Sequence, residues 1–426
     1  MFLELMMIFE CKEYNSSKEF IMKNEGQFKR VISLPFLIFY GVGTIVGGGF
    51  YALLGKVAGT AGYFTPLAFF IATLIALFSA LSYAELSSRY PVSAGEAYYV
   101  KKAFSRAWLS TFVGILVIFT GVVSTATLTV AMAGFLEELL PLSTVIYILV
   151  IVLFMTLIAI KGIKESVWFS TIVTIIEVGG LLFIVYIASE SFVVMKENID
   201  LMIPTSFSLE IWQGIFVAVF LIFYAFIGFE DMVNIAQEVK DVRRTLPIAI
   251  IVSIAITFVI YLLVATVAIF SMDLEQLAAS ASPLAEIAKQ DGYWSYIVLW
   301  SIGILAGLNG ALVQIIMASR VLYGVSQNSQ KFSLFSKVNA WTGTPIYATL
   351  LVVVIVLALA LSFDLVLLAK ITSTIILVLF IVVNASLIVI KRREGRHKEF
   401  NLPLFMPYVG LLSALTILLV HLLKLF

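Results

Sequence analysis

The sequence has little cysteine, histidine or charge. Cys11 is the single cysteine among 426 residues, and His397 and His421 are the two histidines. One cysteine excludes an intramolecular disulfide, and so few sulfur and imidazole groups argue against a metal site built from them. We therefore expect no metal and no other cofactor. Charged residues make up 12% of the chain and balance to a net charge of +1, which gives no indication of a nucleic-acid partner.

Apolar residues dominate instead. They make up 62% of the chain, and the mean hydropathy is +1.08, values typical of an integral membrane protein. A helix of about 20 apolar residues crosses the hydrocarbon core of a lipid bilayer. Runs of this length predict an all-α polytopic membrane protein with eleven spans, near residues 34–54, 64–86, 109–135, 143–160, 167–188, 211–236, 247–271, 295–319, 345–362, 366–390 and 402–423.

Lysine and arginine are distributed unevenly among the connecting segments. With the N-terminus in the cytoplasm, the inner segments hold 22 of the 27 basic residues and the outer segments hold 5. Short cytoplasmic loops carry an excess of lysine and arginine in membrane proteins. We therefore predict a multi-pass protein of the plasma membrane, with residues 1–30 as a cytoplasmic N-terminal segment and the C-terminus outside. The same distribution favours eleven spans, because one missed helix would invert every later loop.

The first predicted span contains a glycine cluster. Gly47, Gly48 and Gly49 are consecutive, and each weakens a helix by ~1 kcal/mol relative to alanine. A backbone that leaves the helix at membrane depth is tolerated only where it faces protein or a wet cavity. Amides at the start of the following half-helix would then be suited to bind a carboxylate. Alternatively, the glycines only allow two helices to pack closely.

The sixth predicted span, five spans after the first, is also interrupted. Residues 223–231 read Phe-Tyr-Ala-Phe-Ile-Gly-Phe-Glu-Asp. Breaks at corresponding positions of two halves indicate a transporter built on inverted repeats. In a simpler interpretation, Gly228 is a packing glycine, and Glu230 and Asp231 mark the end of a helix. We predict an inverted 5+5 helix repeat with discontinuous spans 1 and 6, covering residues 31–190 and 205–392, followed by a loop and the eleventh span over residues 393–426.

Several ordered motifs resemble the amino acid–polyamine–organocation permeases. Residues 41–51 are similar to the first-helix signature of that family, and residues 82–100 are similar to its loop after the second span. The family's usual Asn-Pro before Arg243 is replaced by Asp241-Val242, and no twelfth span is expected. The resemblance covers about residues 30–425 and implies the leucine-transporter-type fold. Further motifs that carry it are residues 227–230, 238–247, 317–323 and 344–345.

For a zwitterionic amino acid substrate, the two breaks provide complementary groups. The amides of residues 47–49 are expected to bind its carboxylate, and backbone carbonyls near Ile45 and of residues 223–225 are expected to bind its ammonium. The resemblance places Tyr224 where relatives carry an aromatic side chain that covers the substrate. The predicted substrate-binding residues are Ile45, Gly47, Gly48, Gly49, Phe223, Tyr224, Ala225 and Ile227, with Ala126 and Asn309 as further wall residues.

One acidic residue lies in the middle of a predicted span. Glu177 is about eleven residues into the fifth span, where a charged side chain costs at least ~2.5–3.5 kcal/mol on insertion scales. We predict that Glu177 faces the interior and carries a proton, unless it is a protonated structural acid with hydrogen-bond partners. Glu230 is the second candidate for proton coupling, because the resemblance connects its position with gating. Asp231 is interpreted as a contact at a helix end.

The composition of the eighth predicted span indicates whether sodium could be the coupling ion. It has no serine or threonine between Ser301 and Ser319, the stretch where sodium-coupled members of the fold supply hydroxyls. Hydroxyl and carbonyl oxygens are the ligands that such a cation needs. This composition favours protons over sodium as the coupling partner, or substrate exchange without either ion.

These observations predict a secondary active amino acid transporter that works by alternating access, with proton symport as the favoured mode. An amino acid exchanger (antiporter) and a permease for polyamines or cationic amino acids stay open. A membrane-embedded enzyme would need a cluster of catalytic groups near the midplane, and the sequence offers Glu177, Glu230 and Asp231 without a histidine. A channel usually shows rings or repeated polar helices. We therefore expect neither an enzyme nor a channel.

Overall fold

The computed structural model describes residues 30–92, 95–140, 142–161, 166–204, 208–326, 333–339 and 342–423. These residues form helices and connecting turns, and the described part of the chain contains no β-sheet beyond an isolated parallel bridge between Ile32 and Val239. The predicted N-terminal segment lies outside the described residues, apart from Arg30.

The α-helices of the first half are α1 Leu34–Val46, α2 Gly48–Ala61, α3 Thr65–Arg89, α4 Gly95–Phe104, α5 Ala107–Leu139, α6 Thr144–Lys161, α7 Ser166–Ile187 and α8 Ser191–Glu197. Those of the second half are α9 Leu209–Ile222, α10 Val242–Ser271, α11 Leu274–Ala279, α12 Pro283–Ala288, α13 Tyr293–Ser326, α14 Ile346–Ser362, α15 Leu365–Glu394 and α16 Phe405–Leu422. Short 3₁₀ segments cover Gly62–Phe64, Ile199–Met202, Phe223–Phe226 and Glu230–Glu238.

Eight helical segments of the described chain are long and apolar enough to cross a membrane, and there are nine if α7 and α8, which meet at a 61° bend, form one span. This agrees with a polytopic membrane protein. The number is below eleven because α1 has 13 residues, α14 has 17 residues, and Gly48–Arg89 counts as one segment of 42 residues. The eleven spans and the inverted repeat therefore stay predictions.

The outer surface of α6 is apolar. Its exposed side chains include Val150, Leu153 and Leu157, which are between 56% and 61% exposed. They recur every three or four residues and so form a stripe along one face of the helix. A contiguous apolar surface of this kind is typical of a membrane or protein contact rather than of contact with water.

An aromatic cluster joins three helices in the interior. Phe50 of α2 stacks on Tyr261 of α10 with 4.0 Å between ring centroids, and Phe69 of α3 meets both rings edge-on at 5.5 and 5.8 Å. Such pairs contribute ~0.5–1.5 kcal/mol beyond the area they bury. The cluster fixes α2 and α10 beside the first interrupted helix, where the candidate site is found.

Candidate functional site

The first break is narrower than the glycine cluster suggests. α1 ends at Val46, Gly47 has φ −38° and ψ −178°, and α2 begins at Gly48. Only Gly47 leaves the helical conformation, whereas Gly48 and Gly49 are the first two residues of α2. The first four amides of a helix have no partner within that helix. The N-terminus of α2 therefore presents amide donors at the break, as a carboxylate site requires.

The second break covers more residues. α9 ends at Ile222, a 3₁₀ turn follows over Phe223–Phe226, and Ile227 is extended. Gly228 has φ +131°, a conformation that L side chains rarely adopt. A Cβ at Gly228 would also collide with the carbonyl of Thr44. Glycine is needed here because the backbone of the second break lies directly against α1.

The two breaks are hydrogen-bonded to each other. The hydroxyl of Thr44 donates to the carbonyl of Gly228 at 3.1 Å. The hydroxyl of Tyr261 lies 2.9 Å from the carbonyl of Ile45 and 3.0 Å from that of Ala225. One phenolic proton is therefore shared between a carbonyl of each break. Tyr261 was not predicted from the sequence, although a buried tyrosine within a span needs a partner for its hydroxyl.

A small cavity lies where the breaks meet. The space inside it is about 30 Å³, room for about two water molecules and too little for an amino acid. Seven of its lining residues were predicted from the sequence: Ile45, Gly47, Gly48, Gly49, Tyr224, Ile227 and Asn309. Those that were not predicted include Thr44, Ser124, Leu128 and Gln314.

Three predicted wall residues do not line this cavity. Phe223 and Ala126 are buried elsewhere, and Ala225 contributes its carbonyl to Tyr261. The 3₁₀ turn has three residues per turn, so Tyr224 and Ile227 share the face toward the cavity and the residues between them do not. In α5, Ser124 and Leu128 are four residues apart and share a face, from which Ala126 points away.

Tyr224 closes one side of the cavity. Its hydroxyl donates to the carbonyl of Ser124 at 3.0 Å, and the hydroxyl of Ser124 lies 3.3 Å away, from where it donates to the tyrosine oxygen. A Cβ at Gly49 would lie 2.8 Å from the ring of Tyr224. The absence of a side chain at position 49 therefore makes room for this ring.

The glycines of the cluster differ in what surrounds them. A Cβ at Gly48 would lie 2.6 Å from the Cα of Gly307, so α2 and α13 approach backbone to backbone at that point. A Cβ at Gly47 would meet nothing closer than 3.9 Å. Gly48 is therefore a packing glycine, whereas a Cβ at Gly47 would make only ordinary van der Waals contacts at the N-terminus of α2.

Glu177 is fully buried beside this site rather than in its wall. Its Oε1 accepts a hydrogen bond from Asn309, which lines the cavity, at 3.4 Å, and its Oε2 has no hydrogen-bond partner. The backbone carbonyl of Glu177 accepts from the hydroxyl of Tyr51 at 2.7 Å. One amide side chain thus connects the mid-span acid with the cavity.

Glu230 and Asp231 are buried on the other side of the second break. Glu230 accepts the amide of Gly228 at 3.0 Å through Oε2, while its Oε1 has no partner. Asp231 accepts from the side chain of Gln314, which lines the cavity, at 2.8 Å. No ion pair within the described residues joins a basic side chain to Glu177, Glu230 or Asp231.

Two interrupted helices that meet around a small interior cavity define a membrane transport protein of the broken-helix type. The chain belongs to the amino acid permease family, whose family model matches residues 31–425. This membership confirms the resemblance seen in the sequence. It also confirms that the chain is a permease rather than an enzyme.

Curated relatives include both plant and bacterial transporters. The chain is 30% identical over 410 residues to cationic amino acid transporter 3, mitochondrial, of Arabidopsis thaliana, covering 89% of this chain and 66% of that protein. It is 27% identical over 392 residues to the branched-chain amino acid permease BcaP of Bacillus subtilis, covering 87% and 83%. It is 24% identical over 407 residues to the methylthioribose transporter of Bacillus subtilis, covering 90% and 86%. The chain thus spans about two thirds of the plant transporter's length.

Proposed function

We propose that this protein is a secondary active transporter that moves amino acids across a membrane by alternating access. The observation that carries the proposal is the cavity at the junction of the two breaks, into which the N-terminus of α2 opens at Gly47. A substrate carboxylate would bind the free amides there, where the helix dipole favours a negative charge.

The ammonium of the substrate would bind on the opposite side of the junction. The carbonyl of Ile45, which lines the cavity, and that of Ala225, which would reach the substrate once the site opens, already receive the shared proton of Tyr261. A carbonyl oxygen has two lone pairs, so each keeps a site for a second donor. By fixing both carbonyls, Tyr261 would prepare the site for the ammonium before the substrate arrives.

The small size of the cavity supports a transport cycle in which the substrate site is contracted in one state. The cavity has room for about two water molecules, so in our proposal the site opens before an amino acid binds. Tyr224 is suited to make this movement, because its ring rests on Gly49 and its hydroxyl is held by hydrogen bonds to residues of α5 alone among the contacts described, Ser124 and Thr127. We assign Tyr224 the role of covering the bound substrate.

Proton symport is our preferred mode of coupling, with Glu177 as the carrier. The unpartnered Oε2 of Glu177 can hold a proton, and Asn309 connects the acid to the cavity. Glu230 is the second candidate, because its Oε1 also has no partner. Exchange of one amino acid for another is the alternative and needs no proton step.

A cationic amino acid is the second candidate substrate. Glu230 and Asp231 are buried next to the second break without a basic partner among the described residues. A positively charged substrate side chain would neutralise such an acid. Two of the relatives, at 30% identity each, are named as cationic amino acid transporters.

We further propose that the protein lies in the plasma membrane with its N-terminus in the cytoplasm. The 22-to-5 distribution of basic residues supports this orientation.

Binding and uptake by the purified protein test the proposed function. Wild-type protein in liposomes should accumulate labelled amino acids with saturation when a proton gradient is imposed, and the competing amino acids would identify the class of substrate. Gly47→Leu should abolish binding because its side chain fills the cavity. Gly179→Leu is the matched control, since a Cβ at this exposed position in α7 meets nothing within 4 Å. Equal binding by both variants, or no saturable binding of any amino acid by wild type, would overturn the proposal.

A further inference from the structure

A second, larger cavity lies where α3 ends and α10 begins, away from the candidate substrate site. Its volume is about 450 Å³. Three arginines from separate parts of the chain line it: Arg30 before α1, Arg89 at the end of α3, and Arg243 at the start of α10. Tyr90 and Tyr98 form part of its wall. None of its lining residues belongs to the cavity between the breaks.

Separate contacts hold the side chain of Arg89 and the backbone at or next to Arg30 and Arg243, whose side chains are exposed. Arg89 is buried and donates to Glu85 at 2.7 Å, and Glu85 also accepts from Lys391 at 2.7 Å. The carbonyl of Arg243 accepts the hydroxyl of Ser88 at 2.7 Å. Next to Arg30, the amides of residues 31 and 32 donate to the carbonyl of residue 238 at 2.9 and 3.0 Å. The cavity is therefore a fixed feature of the packing between these segments.

Positive charge exceeds negative charge around this cavity. Arg30 and Arg243 form no ion pair with the residues that the structure describes, and Asp241 is the single acidic residue in the lining. The charge of Glu85 is shared by Arg89 and Lys391, and Arg244 is paired with Glu399 at 2.9 Å. Glu394, which accepts from the hydroxyl of Tyr90 in the wall, is paired with Arg393 at 3.3 Å, and Lys102 lies over the ring of Tyr98. The charges around the cavity therefore have a positive excess.

The neighbouring histidine is affected by this positive field. Burial lowers the pKa of His397, and the positive charges of Arg89 and Arg243 lower it further. Both arginines therefore act on the same region of the protein.

We propose that this cavity binds a phosphate-bearing anion. Guanidinium groups recognise phosphate through paired, charge-assisted hydrogen bonds, and a phosphate anion complements the excess of positive charge. An amino acid in transit fits less well, because it would bring an ammonium as well as a carboxylate. The phosphate belongs either to the headgroup of an anionic lipid or to a soluble phosphate compound. Both sources reach the ends of membrane-spanning helices, where basic residues attract anionic lipids.

Removing the two unpaired arginines tests the proposal. The double variant Arg30→Gln/Arg243→Gln leaves the buried Arg89 in place. The control Arg106→Gln/Lys161→Gln removes the same amount of charge from exposed residues that do not line the cavity. Calorimetry with pyrophosphate in detergent measures binding of a soluble phosphate. Retention of phosphatidic acid or phosphatidylglycerol from phosphatidylcholine nanodiscs measures binding of a lipid.

We expect the arginine variant to bind at least about tenfold more weakly than the wild type and the control, the loss of roughly one charge-assisted hydrogen bond. An effect on lipid retention alone identifies the headgroup as the ligand, and an effect on pyrophosphate alone identifies a soluble compound. Equal binding by the two double variants, or no binding of either probe by wild type, overturns the proposal. The test measures no transport, so its outcome is independent of the proposed function.

Discussion

The hydroxyl of Tyr261 lies between carbonyls that belong to two different interrupted helices. A buried carbonyl without a donor costs ~1–3 kcal/mol. Tyr261→Phe should therefore destabilise the protein by about that amount and weaken amino acid binding, because the carbonyls of the proposed ammonium site lose their common anchor. Thermal unfolding and equilibrium binding measure the two effects. Tyr186→Phe is the control, since Tyr186 is 77% exposed. If both variants behaved alike, the anchoring role of Tyr261 would be wrong.

Glu177 is the residue on which proton coupling depends in our proposal. Glu177→Gln mimics the protonated acid and keeps a hydrogen-bond partner for Asn309, but it cannot release a proton. Substrate binding and substrate-for-substrate exchange should survive, whereas accumulation driven by a pH gradient should vanish.

Parallel uptake assays on Glu230→Gln provide the comparison for Glu177. A merely structural acid at position 177 would give only mildly reduced net transport. If Glu177→Gln still concentrated substrate with normal pH dependence, the carrier role would pass to Glu230.

Glu96 makes the stability of the protein depend on pH. This residue lies in α4, outside the predicted spans, and burial raises its pKa from 4.5 to about 7, although Tyr83 donates to it at 3.1 Å. Because the folded state holds this proton more tightly than the unfolded state, the contribution to stability is fully present below pH 4.5 and is lost as the pH rises through about 7.

The melting temperature of the wild type should therefore fall as the pH rises from 4.5 to about 7. Glu96→Gln should remove this fall. Thermal unfolding across the range tests this, with the exposed Glu190→Gln as the control. A wild-type profile that Glu96→Gln leaves unchanged would contradict the assignment.

Gly47 and Gly48, at the start of helix α2, have different surroundings. Gly48→Ala would place a Cβ against the Cα of Gly307 and force α2 away from α13. Overpacking of this kind costs ~1–3 kcal/mol, so we expect a lower melting temperature. Gly47→Ala would make only ordinary van der Waals contacts, the nearest at 3.9 Å, and should keep wild-type stability while it weakens substrate binding. A larger loss of stability at position 47 than at position 48 would reverse our assignment of the two glycines.

The two breaks could be predicted from sequence because glycines and adjacent acids inside an apolar run are visible locally. Their extent could not, since Gly48 and Gly49 continue as helix once packing against α13 and Tyr224 is satisfied. Tyr224 and Ile227 line the cavity and Phe223 does not, because the backbone forms a 3₁₀ turn with three residues per turn. An apolar run in the sequence does not reveal this turn. Ser124 and Gln314 reach the cavity from distant spans, so only the folded structure identifies them.

For the molecule as a whole, composition was sufficient to predict a helical membrane protein. The number of spans is harder to derive. Short helices such as α1 and α14 are too short to be recognised as spans by the length of an uninterrupted helix alone. Family membership supports the fold class but leaves substrate, coupling and orientation as proposals.

The orientation of the whole molecule can be tested by labelling. In a Cys11→Ser background, a cysteine at Asp291 should react with impermeant thiol reagents from outside the cell. A cysteine at Arg106 should react only after the membrane is opened. Both positions are exposed, so accessibility reports the side of the membrane. The reverse pattern would invert the topology inferred from the basic residues.

Asn309 and Gln314 belong to the same helix, α13, and are five residues apart, which separates them by about 140° around the axis. Asn309 holds Glu177 and Gln314 holds Asp231. A turn of α13 about its own axis therefore alters both contacts together, although no bond joins the two acids. If Glu177 on α7 carries the proton, as we propose, a change of its charge that rotates α13 would also change the contact between Gln314 and Asp231 at the second break.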